Sequence, residues 1–372
     1  MLSYITTGES HGKHLAVILQ GMPSGLPMDL NYVNEALRCR QSGYGRGGRQ
    51  KIEKDTVEIL GGIIKGKTTG APIGLLLTNR DFKIDRMPEL TRPRPGHADL
   101  VGALKYEQGI RAVLERSSAR ETAMRVAVGS ICELLLKEFG MDVASHVVRI
   151  GPAGAKVPDM SVAEIRRKIR NSPVYCVSPK ASKEMVSVID KARRNKDSVG
   201  GQFEVCISGV PIGLGTHVHH ERKLDGRIAQ HVMSMQSVKA VEIGAGTRLG
   251  EVFGSEAHDE IFYTKKLGYY HKTNRAGGIE GGTSNGSDIV VRVTMKPIST
   301  LARPLASVDM KTKRVAKADF ERSDTCAVPA GSLIGRTLVS YVIADGFLEK
   351  FGGDSVSEIR RNLRSYLKQC HA

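Results

Sequence analysis

The sequence predicts a single α+β domain, and three observations carry that prediction. Short apolar and β-branched runs alternate along the chain with stretches of helical periodicity. No fixed-period repeat or low-complexity linker divides the 372 residues. The composition, 40% hydrophobic and 25% charged, is that of a chain with a sizeable core. Because the length exceeds the roughly 250 to 300 residues at which single cores usually stop growing, a second unit has to be considered. Within a domain spanning 1–372, the Lys- and Arg-rich segment 159–197 is the candidate for a small inserted lobe.

Taken in order, residues 15–19 form an apolar run ended by Gly21 and Pro23, which reads as a buried strand and a turn. Asp29 has the chemistry of an N-cap, and Val33, Ala36 and Leu37 follow at helical spacing up to Arg40. A loop with four glycines occupies 43–49. Segments 57–64 and 73–78 are β-rich, with glycines and a Thr-Thr pair between them. Pro88, Pro93 and Pro95 make 80–97 an extended loop. Residues 106–139 read as one long or slightly broken helix ending at Gly140. Beyond it, strands are expected at 203–207 and 289–295, and helices at 223–238, 333–349 and 356–368.

With 55 basic and 39 acidic residues the net charge is +16, enough to attract any anionic partner. Its arginines recur singly inside loops that hold glycine and proline, a pattern that favours anion pockets over a continuous patch. The scarcity of aromatics and the lack of a recognised binding signature speak against a nucleic-acid protein. The six cysteines, at 39, 132, 176, 206, 326 and 370, form no Cys-x-x-Cys pair, so reduced, mostly buried thiols are expected and neither a disulfide framework nor a zinc ribbon. No basic region followed by an apolar run opens the chain, and nowhere do about 18 apolar residues follow one another. A cytoplasmic protein without a membrane partner is the expectation.

Two familiar phosphate motifs match by letter and fail by context. Gly43-Tyr-Gly45-Arg-Gly47-Gly48 follows a predicted helix, where a dinucleotide-binding turn must follow a strand. Residues 61–68 match a P-loop, but Gly70 and Pro72 forbid the helix that would hold the phosphates. What the first loop does hold is Arg40, Arg46 and Arg49 among glycines that let backbone amides approach a ligand. Such a segment is either a solvated basic loop or a cradle for phosphate and carboxylate, which guanidinium forks suit. Gly8-Glu9-Ser10-His11-Gly12 sets a hydroxyl and an imidazole at a strand edge, and Arg94-Pro-Gly-His97-Ala-Asp99 holds a second histidine in a stiff loop. Either histidine alone could be structural; two of them beside arginines point to acid catalysis. Arg116 and Arg120 stand at i and i+4 with Ser117, Ser118 and Ala119 between, which suggests an anion shared by one helix face. Tight-turn chemistry and ligand contact are both open for the loops around Glu280, Lys296 and Asp324. His217, His219 and His220 lack the companion ligands of a metal site and read as a solvated loop, so no metal is expected.

Together the segments 8–12, 40–49, 94–99, 115–125, 277–286, 296–300 and 322–324 resemble, in order and spacing, the motif set of the chorismate synthase family. The resemblance covers nearly the whole chain. It implies a sandwich of β-sheets and helices assembled as a homotetramer. It also implies a carbon-oxygen lyase converting 5-enolpyruvylshikimate 3-phosphate to chorismate and phosphate by 1,4-anti elimination, the last step of the shikimate pathway. The family requires reduced FMN although the reaction has no net redox change. By the same resemblance His11 protonates or stabilises the leaving phosphate, His97 lies by the reduced flavin and governs its protonation, and Asp324 assists proton transfer at the flavin. Ser10, Arg40, Arg46, Arg49, Arg94 and Arg120 hold substrate, with Arg40 and Arg46 also matching positions assigned to a nicotinamide nucleotide. FMN is gripped by Arg116, Ser117, Ser118, Gly281, Lys296, Pro297, Ile298, Ser299, Thr300 and Arg322. Gln236-Ser237 stands where the family usually has Asn-Ala beside the flavin. No reductase-like insertion is present, so an external flavin reductase is expected, with NADPH as an indirect reductant. The competing readings are a basic nucleic-acid-binding protein and a flavin oxidoreductase with net electron transfer.

Overall fold

Strict alternation of apolar residues builds the first layer of the computed structural model, which describes residues 1–48, 52–321 and 323–370. Strands β1 (Ser3–Thr7), β2 (His14–Gln20), β3 (Val57–Gly61) and β4 (Ile73–Thr78) pair antiparallel in the order β1-β2-β4-β3. Leu15, Val17 and Leu19 of β2 and Ile73, Leu75 and Leu77 of β4 are buried on one face, while Ile5 and Ile18 are exposed on the other. Helix α1 (Leu30–Gln41) leaves β2 through Asp29, whose carboxylate accepts the Tyr32 N–H at 3.1 Å. The segment between β3 and β4 turns back on itself in a two-residue hairpin, Ile63–Ile64 with Lys67–Thr68.

The helix expected over 106–139 begins earlier and comes in pieces. They are α2 (Asp99–Tyr106), α3 (Ile110–Ser117), a 3-10 turn at Ala119–Glu121 and α4 (Thr122–Glu138). Glu107 takes a left-handed conformation (φ 50°) that stops α2, and Ser118 is extended and caps the turn by accepting the Arg120 N–H. At the far end Gly140 (φ 80°) closes α4 as expected. The Met141 amide returns to the Leu136 carbonyl and the Gly140 amide to that of Lys137.

The second sheet contains β5 (Asp142–Ile150), β6 (Ala153–Gly154), β7 (Gly201–Ser208), β8 (Val238–Ile243) and β9 (Ile289–Met295), antiparallel in the order β8-β9-β7-β5-β6. Between β6 and β7 lie α5 (Val162–Ile169) and α6 (Pro179–Arg194). Val162 and Ile165 of α5 pack with Ala144 and Cys206 on the outer face of this sheet, whereas Ala181, Met185 and Ile189 of α6 join the main core. Helix α7 (Leu224–Met233) is shorter than the expected 223–238, because Met235 turns the chain into β8.

Helix α8 (Val328–Phe351) is longer at both ends than the expected 333–349 and is buried almost throughout. It packs on α4 and α1 on one side and on β5 and β7 on the other, so a helical layer lies between the two sheets. This is the expected sandwich of sheets and helices. Helix α9 (Val356–Cys370) closes the chain on the outside, burying Val356 and Ile359.

At the crossing of α4 and α8, a side chain on Gly129 would meet the Thr337 carbonyl at 2.3 Å. Backbone cannot step aside as a side chain does. Gly129→Ala is therefore expected to destabilise the protein by about 2 kcal/mol despite the better helix propensity of Ala. That is a fall in Tm of several degrees by calorimetry, and an unchanged or higher Tm would contradict the close crossing.

Candidate active site

Loops from both sheets and from the helical layer converge on one cavity of about 550 Å³. Ser10 and His11 enter from the β1–β2 turn, Arg40 from the end of α1, Arg46, Gly47 and Gly48 from the loop after it, and Gly96, His97 and Ala98 from the stretch before α2. Ser117, Ser118 and Arg120 come from the break between α3 and α4. Gln236 and Ser237 lie just before β8, and Lys296, Ile298, Ser299 and Thr300 just after β9. Leu114, Met235, Met295, Ala330 and Ile334 supply an apolar wall. Among the described residues six lysines and arginines line the space against three acids (Asp81, Glu321 and Asp324), so its field is that of an anion site.

The glycine loop reaches this space because it can approach the chain before α8. Gly45 has φ 97°, and a side chain there would lie 3.0 Å from the Cys326 Cβ. Its carbonyl accepts the Thr325 N–H at 2.8 Å. Asp324 is thereby brought to Arg46, with which it forms an ion pair, and its other oxygen accepts the Gly47 N–H at 2.6 Å.

Each buried arginine is held from behind. Arg40 donates to the Thr122 hydroxyl at 3.0 Å and the Ala119 carbonyl at 2.9 Å, and lies 3.4 Å from Asp55. Burial pulls its guanidinium down to about 9, against the pull of Asp55 in the other direction, so it stays charged at neutral pH. Arg120 donates to Asn79 Oδ1 at 2.7 and 2.9 Å and to Asp55 at 2.7 Å. Arg94 forms a bidentate pair with Asp99 at 2.8 and 2.9 Å and donates to the Thr300 hydroxyl at 2.8 Å.

The two histidines are held the same way. His11 Nδ1 lies 2.9 Å from Glu115 Oε1, and Glu115 Oε2 accepts the His11 backbone N–H at 2.7 Å. His97 Nδ1 lies 2.6 Å from Asp99 Oδ1. Burial alone would raise the Asp99 carboxyl, but hydrogen bonds from His97 and Arg94 and their charges hold it well below the usual carboxylate range. Burial of Lys296, with Lys239 nearby, lowers its ammonium. Lys296 Nζ contacts the Gly96 carbonyl and lies 3.2 Å from the Ser299 hydroxyl. Burial pushes the Cys326 thiol, next to this loop, up to about 12, which keeps it protonated and unreactive.

Among the described residues two cavity-lining side chains keep a buried polar atom without a protein partner, Arg46 Nε and Gln236 Oε1. A donor and an acceptor so placed are unmet demands that a ligand can satisfy.

Not every expected residue reaches the cavity. Arg116 and Arg120 do not share a helix face, because α3 ends at Ser117 and Arg120 sits in the 3-10 turn. Arg116 turns the other way and donates to the Thr6 and Gly8 carbonyls and to the Thr6 hydroxyl, so no anion lies between the two. Gly281, in the turn between Ile279–Glu280 and Thr283–Ser284, lies near His217 and outside the cavity lining, as does Pro297. His217, His219 and His220 are exposed in the loop before α7. Arg49 and Arg322 lie outside the described residues. Conversely, Asp55, Asn79, Glu115 and Thr122 were not expected. They are acids and polar residues whose partners are remote in sequence. Of these, Glu115 and Thr122 carried a signal, through their place inside the arginine segment 115–125.

A cavity whose wall carries this excess of guanidinium groups and two imidazoles has the chemistry of a small-polyanion enzyme site. The chain belongs to the chorismate synthase family, whose model it matches over residues 2–348. It is 50% identical to a chorismate synthase of Moorella thermoacetica over 378 residues, covering 98% of each chain. It is also 50% identical to one of Desulforudis audaxviator over 385 residues, covering 100% of this chain and 99% of the relative. A solved structure described as a crystal structure of chorismate synthase is 40% identical and superposes with a TM-score of 0.84, covering 100% of this chain and 98% of the other. The chain is thus a carbon-oxygen lyase of the last step of the shikimate pathway, at which 5-enolpyruvylshikimate 3-phosphate gives chorismate and phosphate.

The depressed Asp99 carboxyl has a pH consequence. A group whose folded value is depressed stabilises the fold above its unfolded value of about 4, and that stabilisation is lost as pH falls further. Asp99→Asn is expected to destabilise the protein by about 3 kcal/mol at pH 7. The gap between variant and parent should narrow below pH 4 in thermal melts across pH, and a gap independent of pH would contradict the ion pair.

Proposed function

We propose that the chain carries out this elimination in the cavity described above, with reduced FMN as cofactor and as a cytoplasmic homotetramer. One juxtaposition supports the reading above all: His11 and His97, from separate loops, face the same cavity as Arg40, Arg46, Arg94 and Arg120. The substrate carries a phosphate and two carboxylates, which these guanidinium groups match in charge and geometry.

The cavity also suits a flavin. Its apolar wall would take the ring system, the unpartnered Gln236 Oε1 would accept from a ring N–H, and Ser117, Ser118, Lys296, Ser299 and Thr300 would bind its polar edges and phosphate. Reduced FMN, when bound, supplies electron density to the departing phosphate and helps remove the ring proton, with no net electron transfer. The chain's own residues do the rest. The arginines orient the substrate and neutralise the phosphate as it leaves. With Nδ1 engaged by Glu115, His11 delivers its proton from Nε2 to the phosphate oxygen. His97, held by Asp99 and Arg94, sets the protonation at the flavin edge, and Asp324, beside Arg46, assists the proton transfer from the ring.

The flavin is reduced by a separate reductase, with NADPH as the indirect electron source. In support, no reductase-like insertion interrupts the segments that carry the family's motifs.

The test is an anaerobic assay with chemically reduced FMN and the phosphorylated substrate. Chorismate and phosphate should appear in equal amounts, with no turnover on oxidised FMN and no stoichiometric NADPH consumption. Failure to form chorismate with reduced FMN would overturn the reading. Under these conditions His11→Ala and His97→Ala are each expected to lower kcat by about 100-fold or more with the fold intact by circular dichroism. Full turnover in either variant would remove that residue from its role.

A further inference from the structure

We propose that Glu115 is the positioning residue of the acid, the group that sets both the place and the tautomer of His11. The proposal rests on the reading above that His11 is the proton donor, and it assigns to Glu115 a role distinct from substrate contact.

Glu115 stands one residue before the Arg116-Ser117-Ser118 segment, yet it does not line the cavity. Its side chain is 1% exposed and points back at the β1–β2 turn. There it makes a two-pronged contact with a single residue, Oε2 accepting the His11 backbone N–H at 2.7 Å and Oε1 lying 2.9 Å from the His11 ring Nδ1. A third tie comes from the backbone, where the Glu115 carbonyl accepts the Ser10 N–H at 2.9 Å. The ring and main chain of His11 are thus referred to one rigid point on α3. From the other side the Lys83 and Ile84 amides donate to the His11 carbonyl.

The carboxylate is held ionised. Burial opposes this, but hydrogen bonds from the His11 ring and backbone, with the charges of His11 and Arg111, lower its pKa below the ordinary carboxylate value. Arg111 lies 3.9 Å from Glu115 and anchors the arrangement by donating to Glu321 at 2.8 Å and to the Pro88 carbonyl at 3.1 Å. An ionised carboxylate can only accept, so the proton shared with His11 sits on Nδ1. The neutral ring then presents a bare Nε2 to the cavity, and the protonated ring presents Nε2–H there. A ring free to rotate would turn Nε2 away from the phosphate for part of the time, and the contact with Glu115 removes that freedom.

Among the described residues the charged groups near His11 include Glu115 and Arg111 on α3, Glu9 in the same turn, and the Asp81–Lys83 ion pair, at 3.0 Å, in the loop packed against it. Of these, Glu115 alone hydrogen-bonds the ring among the described residues.

Three measurements decide the matter. In the protein labelled with 15N-histidine, long-range 1H–15N spectra should show neutral His11 with its proton on Nδ1. A proton on Nε2 would overturn the proposal whether or not His11 is the acid. Glu115→Gln preserves shape but removes the charge. It is expected to lower kcat by about 100-fold or more, as loss of a tautomer-fixing carboxylate does elsewhere, while KM changes by less than about threefold. The alkaline limb of the kcat–pH profile should move to lower pH, because the protonated ring loses its counter-charge, and Glu115→Asp should recover part of the loss. An unmoved limb, or an effect confined to KM, would count against positioning. In the His11→Ala background Glu115→Gln should have no further effect on turnover, and a second full loss there would show that Glu115 acts elsewhere. If His11→Ala itself kept full turnover, the acid assignment would fail while the tautomer spectrum still judged the contact.

Discussion

A guanidinium taken out of water must bring its counter-charge with it, and the cavity wall contains three that are almost wholly buried: Arg40, Arg94 and Arg120, exposed by 3%, 6% and 6%. Much of the local architecture follows from meeting that demand. Asp55 lies between Arg40 and Arg120 and ties the end of α1 to the 3-10 turn before α4. Asp99, the first residue of α2, folds back on Arg94 and so closes the loop that presents His97. Asn79, at the end of β4, accepts two bonds from Arg120 and donates to the Gly12 carbonyl, joining the substrate side of the cavity to the turn that bears His11. The acids that hold these arginines do not line the cavity themselves. The lining is left with an excess of positive charge, and the guanidinium groups stand ready in fixed orientation.

The same logic divides labour between the inner and outer sides of the site. Groups that touch the cavity are cations, imidazoles, hydroxyls and apolar side chains, while the anionic groups Asp55, Asp99 and Glu115 stand behind them. Asp81, Glu321 and Asp324 are the exceptions, and Asp324 faces the cavity beside Arg46. There the guanidinium of Arg46 offsets the charge of the Asp324 carboxylate.

The helical layer makes this possible mechanically. Because α4 and α8 cross closely at Gly129, the breaks at the N-terminal end of α4 and the start of α8 meet near one point, and loops from both sheets are drawn there. The cavity is thus a junction of chain ends, and no single sheet or helix carries it. That explains why the residues that line it span positions from 10 to 334.

Strand and helix positions were legible in the sequence to a considerable degree, because alternating or helical burial of Leu, Val and Ile leaves its period in the chain. β2, β4, β9, α1 and the end of α4 lie where periodicity, Asp29 and Gly140 place them. The gathering of arginines into stiff or glycine-rich loops was legible too, and Arg40, Arg46, Arg94 and Arg120 of those segments line one cavity. The helix breaks at Glu107 and Ser118 were not, because a left-handed glutamate and an extended serine are settled by packing. Nor was the direction of Arg116, whose side chain could reach either the cavity or the Thr6 and Gly8 carbonyls from the same backbone. The sequence by itself determined which chemical groups are present, which loops are stiff or permissive, and where the core faces lie. Only the tertiary structure decided which acid neutralises which arginine and which nitrogen of His11 is engaged. Those choices depend on contacts between residues on separate elements, 104 positions apart for His11 and Glu115, and such contacts exist only once the layers have packed.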